Sequence, residues 1–476
     1  MIRKRTKIVA TISDKRCDPE FIRKLFEEGM DVIRINSAHL DIEGALMIIE
    51  NTRKVSDRIA ILVDTKGPEI RTTDCDSQIM LNKGARINIT GDPDRKSTED
   101  TIFVNYRAFA EDVPEGSPIL IDDGEIELRA IKRNGNTLTC SIENDGVLRS
   151  RKSVNTPGVN ICLPSLTAKD KAFIEMAVKN GIDFIAHSFV RSKQDVLDVQ
   201  AVLDSYGSKI KIIAKIENEE GVQNFDEIIE NVYGIMVARG DLAIEIPYEK
   251  IPGIQRAIIS KCISWRKPVI VATQMLYSMI TNHRPTRAEV SDIASAIYSQ
   301  TDAIMLSGET AYGKFPVEAV KTMTRVALEV ENNKEKFLEL PVMDMTGEIS
   351  AYLAKVAVKT SVRLGAKGII ADTVGGRTIR DMAAYRGFNM VLAQCYSKAT
   401  MRELALSYGV YPSYQERKKS VDEFIQIALK NLIKVHNLRD DDIFVVLAGN
   451  FIGRLGFSFI EVGSVQYLKD RVSIRD

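Results

Sequence analysis

The 476-residue chain has no run of 18 or more apolar residues, and so no stretch that reads as a membrane-spanning helix. Its six cysteines (Cys17, Cys75, Cys140, Cys162, Cys262 and Cys395) form no C-x-x-C pair, and none of its four histidines stands at H-x-x-x-H spacing. Neither a disulfide scaffold nor structural zinc is expected. An excess of one charge sign is also missing, because Lys plus Arg and Asp plus Glu each number 65. No basic field draws nucleic acid, and the expected partner is a small molecule. The opening Met1-Ile2-Arg3-Lys4-Arg5-Thr6 is basic but leads into strand-like sequence with no small-residue cleavage site. It does not read as a signal peptide, and a cytoplasmic location is expected.

What is present is ordinary in bulk, 45% hydrophobic and 27% charged, and ordered in detail. At roughly 150 residues per domain, the length calls for about three domains. Eight short, β-branched apolar runs read as buried parallel strands: 6–12, 31–36, 59–64, 182–189, 210–217, 234–241, 268–275 and 302–308. Helix-like segments at 19–28, 169–179, 192–205, 222–231 and 286–299 alternate with them, as βα units require. Eight such units make a (β/α)₈ TIM barrel.

One interval breaks the rhythm: the third run ends at Asp64 and the fourth starts only at Ile182. The intervening sequence carries turn signals at Asn82-Lys83-Gly84, Asp122-Asp123-Gly124 and Asn134-Gly135-Asn136, between alternating runs such as 85–90 and 137–142. That pattern reads as a small β cap domain inserted in the barrel. From about residue 342, strands near 368–371, 390–394 and 443–447 with helical spacers read as an open α/β domain. The expected division is therefore barrel 1–68 and 166–341, cap 69–165, and C-terminal domain 342–476. The barrel that remains is close to the roughly 250 residues typical of the fold.

A TIM barrel carries its active site at the C-terminal ends of its strands. Here those ends are polar: Arg34-Ile35-Asn36, Asp64-Thr65-Lys66, Lys215-Ile216-Glu217, Arg239-Gly240-Asp241, Thr273-Gln274 and Ser307-Gly308-Glu309. Strand alternation puts Lys215 with Glu217, Arg34 with Asn36 and Arg239 with Asp241 on common faces. For any one pair, a polar strand end that anchors a loop is the ordinary explanation. Six such ends are another matter, because burying charge costs several kcal/mol per ion unless the charges are paired or used, and a ligand site follows. Mg²⁺ takes about six oxygens, usually only one or two of them from carboxylates, which Glu217 and Asp241 would supply. Lys215 beside them suits a phosphoryl group whose charge spreads in the transition state.

These strand ends resemble the pyruvate kinase signature. The matching stretches are Thr6–Ile12, Asp64-Thr65-Lys66-Gly67-Pro68-Glu69-Ile70-Arg71, Ala214-Lys215-Ile216-Glu217-Asn218, Ile235–Leu242, Ala272-Thr273-Gln274-Met275-Leu276 and Met305-Leu306-Ser307-Gly308-Glu309. The resemblance implies Mg²⁺-dependent (or Mn²⁺-dependent) phosphoryl transfer from phosphoenolpyruvate to ADP, the last step of glycolysis. It also implies a homotetramer and a C-terminal domain open to effectors. By position, Lys215 resembles the transition-state lysine, Arg34 the donor-phosphoryl arginine, and Glu217 and Asp241 the Mg²⁺ ligands. Thr273, Gly240 and Asp241 correspond to the carboxylate pocket, with Thr273 near the route of enolate protonation. Arg71 and Lys152 resemble nucleotide-phosphate contacts, and His39 a group near the base. Asn36, Asp64 and the Thr65 carbonyl remain as K⁺ ligands.

The chain departs from the family pattern in places. Ala38 stands where a serine hydroxyl usually completes the K⁺ site, while Glu69 stands where potassium-independent relatives carry a lysine, so K⁺ is expected to be needed but weakly held. Ser13-Asp14 replaces a Gly-Pro after the first strand. Asp372-Thr373-Val374-Gly375-Gly376-Arg377-Thr378 reads either as a phosphate cradle or as a plain glycine turn, and Gly449–Gly456 lacks the usual Thr-Asn pair. The run Gly308–Phe315 nearly spells a P-loop, but Phe315 takes the place of the Mg²⁺-reaching hydroxyl, so it reads as a barrel loop. Two rivals stay open: another Mg²⁺ barrel enzyme working on a pyruvate enolate, and a non-catalytic binding protein on the same fold.

Overall fold

In the computed structural model, the residues described are 4–333, 349–417, 420–436, 438–449 and 459–473. Eight strands close a barrel: β1 (Lys7–Thr11), β2 (Val32–Asn36), β3 (Ala60–Asp64), β4 (Phe184–His187), β5 (Lys211–Ile216), β6 (Gly234–Ala238), β7 (Val269–Ala272) and β8 (Ala303–Leu306). All eight ladders are parallel, β8 pairing back onto β1 through Lys7↔Ala303. Parallel strands covered on both faces must be apolar throughout, and the continuous Val/Ile/Leu runs satisfy that. Successive side chains alternate between two cores. Ile8, Ile33, Ile61 and Ile185 pack against the helices, while Val9, Val32, Leu62, Ala186, Ile213 and Met236 fill the lumen.

Several helices start where capping chemistry places them. Asp18, Asp41, Thr167 and Thr286 each accept a backbone N–H of the first turn, and Thr167 and Thr286 complete capping boxes with Asp170 and Glu289. The expected helix 222–231 is instead two pieces, Glu219–Gln223 and Phe225–Asn231, which divide at Asn224. The helices Ile42–Val55, Ile251–Ser264 and Pro316–Asn333 complete the outer ring.

Between β3 and β4 stands a six-stranded sheet in the order 154–155, 118–121, 126–134, 137–142, 86–91, 101–104. Isolated bridges Arg71↔Ser153 and Thr72↔Val104 join its two edges, so the module wraps into a small barrel around its own apolar core.

The C-terminal sheet runs β11 (Val410–Tyr414), β10 (Met390–Cys395), β9 (Gly368–Thr373), β12 (Ile443–Ala448) and β13 (Phe459–Ser464), the last antiparallel. Asp372 and Thr373 close β9, residues 374–376 turn, with Thr373 Oγ1 accepting the Gly376 amide at 2.8 Å and Gly376 at φ +79°, and Arg377 opens a helix. Most of Gly449–Gly456 lies outside the described residues, as does the expected domain junction near 342.

This sheet docks on the N-terminal end of the barrel. Arg386 pairs with Asp302 at 2.5 Å, Arg402 with Asp183 at 2.6 Å, and Lys7 donates to the Val410 carbonyl. Ala405 and Leu406 enter the bottom of the lumen, where Leu406 is fully buried among the inward-facing strand residues. No helix among the described residues is long and apolar enough to cross a membrane.

Candidate active site

At the opposite end of the lumen the inward positions turn polar: Thr11 on β1, Arg34 and then Asn36 on β2, Asp64 on β3 and Lys215 on β5, with Ser188 and Glu217 one step beyond their strands. Arg34, Asp64, Lys215 and Glu217 are all buried. One carboxylate organises them. Asp64 Oδ2 accepts Arg34 Nε at 2.6 Å, and Oδ1 accepts Lys215 Nζ at 3.1 Å and Ser188 Oγ at 3.1 Å. Lys215 Nζ also stands 2.7 Å from Ser188 Oγ and 3.0 Å from Glu217 Oε1. Thr11 Oγ1 accepts Arg34 Nη1 at 3.1 Å.

Burial alone would raise the Asp64 carboxyl, but Arg34 and Lys215 outweigh it and hold the group below the usual carboxylate range. Burial likewise opposes charge on Lys215, and Asp64 and Glu217 overcome it, keeping the ammonium more basic than an exposed lysine. Glu217 differs. Burial pushes it upward, and Asp241 and Asp64 add to the push against the pull of Lys215. Glu217 and Asp241 repel each other, and hard carboxylate oxygens are what a divalent cation takes, so the two fit such an ion on their donor chemistry. Among the described residues, no cluster of three or more His, Cys, Asp or Glu side chains is placed to hold a metal ion.

Two strained residues frame the mouth. Phe189 (φ +55°) donates its amide to Glu217 Oε2 at 2.7 Å, and Thr273 (φ +71°) accepts the Gly240 amide on Oγ1 at 2.8 Å. Positive φ is costly for residues with a Cβ, of order 1–3 kcal/mol, and a β-branched threonine is an outlier there. The turn after β7 thereby aims Thr273 at the loop that follows the neighbouring strand β6.

That loop corrects one sequence expectation. Arg239 and Asp241 are not on a strand face, because β6 stops at Ala238 and Arg239–Glu245 is helical. Arg239 turns to Asp292 (2.7 Å) and the Thr273 carbonyl (2.7 Å), bracing β7, while Asp241 lines a cleft of about 330 Å³ between cap and barrel. Glu309 is also a loop anchor, its oxygens accepting the amides of Leu276 and Ser307 at 3.0 and 2.8 Å.

The remaining expected residues lie further out. Arg71 is held by Glu69 (2.8 Å) and the Arg151 carbonyl (2.7 Å), and Lys152 by Asp122 (2.8 Å). The two are neighbours in the cap, tied by Thr72 N to Lys152 O, and neither bonds to the Arg34–Lys215 cluster. His39 is exposed in a separate cavity that Arg34 and Asn36 also line. Of the alkali-ion set, Asn36 Oδ1 accepts the Ala38 amide at 3.1 Å and the Thr65 carbonyl accepts Ser188 Oγ at 2.6 Å. Thr11 and Ser188 were missed in the sequence. Thr11 ends the first strand and Ser188 directly follows the fourth, the two strands omitted from the list of polar ends, and the inward parity of Val9 and Ala186 points to both.

A family model described as the barrel domain of pyruvate kinase matches residues 3–320, and one described as its alpha/beta domain matches residues 352–461. A pyruvate kinase of Borreliella burgdorferi is 46% identical over 471 residues, covering 98% of each chain. One of Geobacillus stearothermophilus is 41% identical, covering 96% of this chain and 79% of that one. A crystal structure of a pyruvate kinase from Cryptosporidium parvum superposes with a TM-score of 0.90 at 34% identity, covering 97% of this chain and 96% of that one.

Proposed function

The chain belongs to the pyruvate kinase family, and from that premise we propose how the residues at the barrel mouth share the work. It is a phosphotransferase, and membership implies phosphoenolpyruvate and ADP as substrates and a divalent metal as cofactor. In the reaction, the P–O bond to the enol oxygen breaks, a bond from phosphorus to a β-phosphate oxygen of ADP forms, and the enolate takes a proton to become pyruvate.

Arg34 holds the donor phosphoryl group. Lys215 stands across Asp64 from it and neutralises the phosphoryl oxygens as charge spreads over them, where positioning and electrostatics supply most of the catalysis. Glu217 and Asp241 would hold Mg²⁺ or Mn²⁺. Such an ion, when bound, polarises substrate oxygens and offsets their charge. Thr273, with the backbone at Gly240 and Asp241, receives the substrate carboxylate and lies on the route by which the enolate is protonated. Arg71 and Lys152 serve the nucleotide phosphates and His39 the region of the base. For that, the two cations must leave Glu69 and Asp122, which closure of the cap, taken as residues 69–165, would bring about while excluding water. K⁺ is held by Asn36, Asp64 and the Thr65 carbonyl, weakly because Ala38 brings no hydroxyl. A homotetramer working in the cytoplasm is the assembly and place this reading favours.

The observation that carries the reading is the buried Lys215 ammonium, 2.7 Å from Ser188 Oγ and 3.0 Å from Glu217. A coupled assay for pyruvate tests it. Pyruvate formed only with ADP and Mg²⁺ is expected; pyruvate formed without ADP points to enolate chemistry of another kind, and ligand binding without turnover to a non-catalytic protein.

A further inference from the structure

His187 closes β4 on the face turned away from the lumen, the face of Ile185 and not that of Ala186. It is fully buried, and its Nε2 makes no hydrogen bond among the described residues. A buried polar atom without a partner costs its full desolvation, and a leucine would fill the same layer without that cost. The compensation lies at the other ring nitrogen. Nδ1 stands 3.4 Å from the hydroxyl of Thr65, the first residue beyond β3.

Thr65 ties the ends of β3 and β4 together. Its amide donates to the Ala186 carbonyl at 2.9 Å, and its carbonyl accepts Ser188 Oγ at 2.6 Å. Its hydroxyl accepts the Ser188 amide at 3.0 Å and donates to the Ala186 carbonyl at 3.3 Å. One lone pair of that hydroxyl remains, and an Nδ1–H of His187 fills it. Burial pushes the imidazole down to about 4, so the ring is neutral and carries a single N–H. With the proton on Nδ1 the orphan Nε2 is a bare lone pair; the other tautomer would leave a buried N–H unpaired, which folded proteins rarely tolerate.

The place of this contact gives it a use. Thr65 leads directly into Lys66 and Gly67, the start of the outgoing cap linker, whose amides Asp170 Oδ1 accepts at 2.8 and 3.4 Å. The returning linker is moored nearby: Arg191, held by Asp195 at 2.9 Å, donates to the carbonyls of Ile161 and Leu163 at 2.9 and 2.8 Å. Asp170 and Asp195 both lie close enough to act on the His187 ring through their charge. On the inner side, Ser188 Oγ meets Lys215 Nζ at 2.7 Å. A displacement of Thr65 would carry Ser188 with it and shift the ammonium. We propose that His187 is a positioning residue for phosphoryl transfer: its Nδ1–H fixes the Thr65 hydroxyl, and Thr65 in turn holds Ser188 and Lys215 in place while the cap moves on its linkers. The proposal rests on the reading of Lys215 as the transition-state group.

Three variants and one spectrum test it. His187→Leu, which keeps the bulk and loses the donor, is expected to lower kcat about tenfold with both KM values within about threefold. His187→Asn places an amide nitrogen where Nδ1 stands and should stay within about threefold of the wild-type kcat, whereas His187→Gln places one nearer Nε2 and should resemble His187→Leu. An unchanged kcat in His187→Leu, or equal losses in the Asn and Gln variants, overturns the proposal. In ¹⁵N-histidine-labelled protein, two-bond ¹H–¹⁵N correlations should show a protonated Nδ1 and a bare Nε2 for the signal that His187→Asn removes. The opposite tautomer, or an imidazolium at neutral pH, overturns it as well. If His187→Leu folds poorly, the contrast between Asn and Gln and the spectrum decide. A Lys215→Met variant that keeps its kcat overturns the reading of Lys215, and only then does the proposal fall with it.

Discussion

Lys215 and Asp64 sit on strands that do not pair, β5 and β3 with β4 between them, yet their side chains meet at 3.1 Å because both point into the lumen. Barrel curvature converts three separate strand ends into one hydrogen-bonded group. The hydroxyl of Ser188, just past β4, fills the gap between them, 2.7 Å from the ammonium.

Replacing Lys215 with Met should lower kcat by several orders of magnitude while phosphoenolpyruvate binding stays within about tenfold, the pattern of a group acting mainly in the transition state. Steady-state kinetics with a direct binding measurement check this. A large rise in KM at unaltered kcat contradicts the assigned role.

Asp64→Asn addresses stability. Removing one partner of a buried ionic group costs about 3–5 kcal/mol, here because Arg34 and Lys215 lose the charge that offsets both. The folded carboxyl titrates below its unfolded value, so the unfolded chain binds the proton first as acid is added. The contribution is therefore fully present above the unfolded carboxylate value near pH 4 and is lost as pH falls through the folded one. Denaturant titrations should show the wild-type advantage over Asp64→Asn shrinking below about pH 4; a gap independent of pH contradicts the pairing.

The absent hydroxyl at Ala38 gives a gain-of-function test. Exchanging K⁺ for a large inert cation at constant ionic strength should reduce wild-type activity, and Ala38→Ser should lower the K⁺ concentration needed for half activation severalfold. Activity indifferent to the cation removes the alkali-ion site.

Leu406→Ala opens a cavity at the foot of the lumen and should cost about 2–5 kcal/mol. Because Leu406 bridges two units, calorimetry should also show their unfolding separate into distinct transitions. A single unshifted transition would mean that the ion pairs Arg386–Asp302 and Arg402–Asp183 alone couple them.

The barrel was legible because its physics is written in a run of residues. A strand covered on both faces is continuously apolar, and β2, β3 and β5 were placed to within a residue or two. The end of β6 was misplaced because nothing in Val237-Ala238-Arg239-Gly240-Asp241 marks the change from strand to helix, and alternation was carried one turn too far. Glu309 misled in another way. A buried glutamate serving two amides and one poised at a mouth look alike until the fold shows which way each points. β11 went unread because Pro412 and Gly409 argue against a strand, which only pairing with β10 overrides. The companionship of Arg71 and Lys152 depends on cap strands far apart in sequence, whereas their present partners, Glu69 and Asp122, are a matter of conformation that no spacing encodes.

Leu406 also has a bearing on biosynthesis. All eight barrel strands leave the ribosome before it does, so the nascent barrel waits with a greasy floor exposed until the last third of the chain arrives. Messages cut short in that third would yield a complete set of mouth residues on a scaffold that cannot seal, and the unsealed end would mark such products for chaperones or proteases.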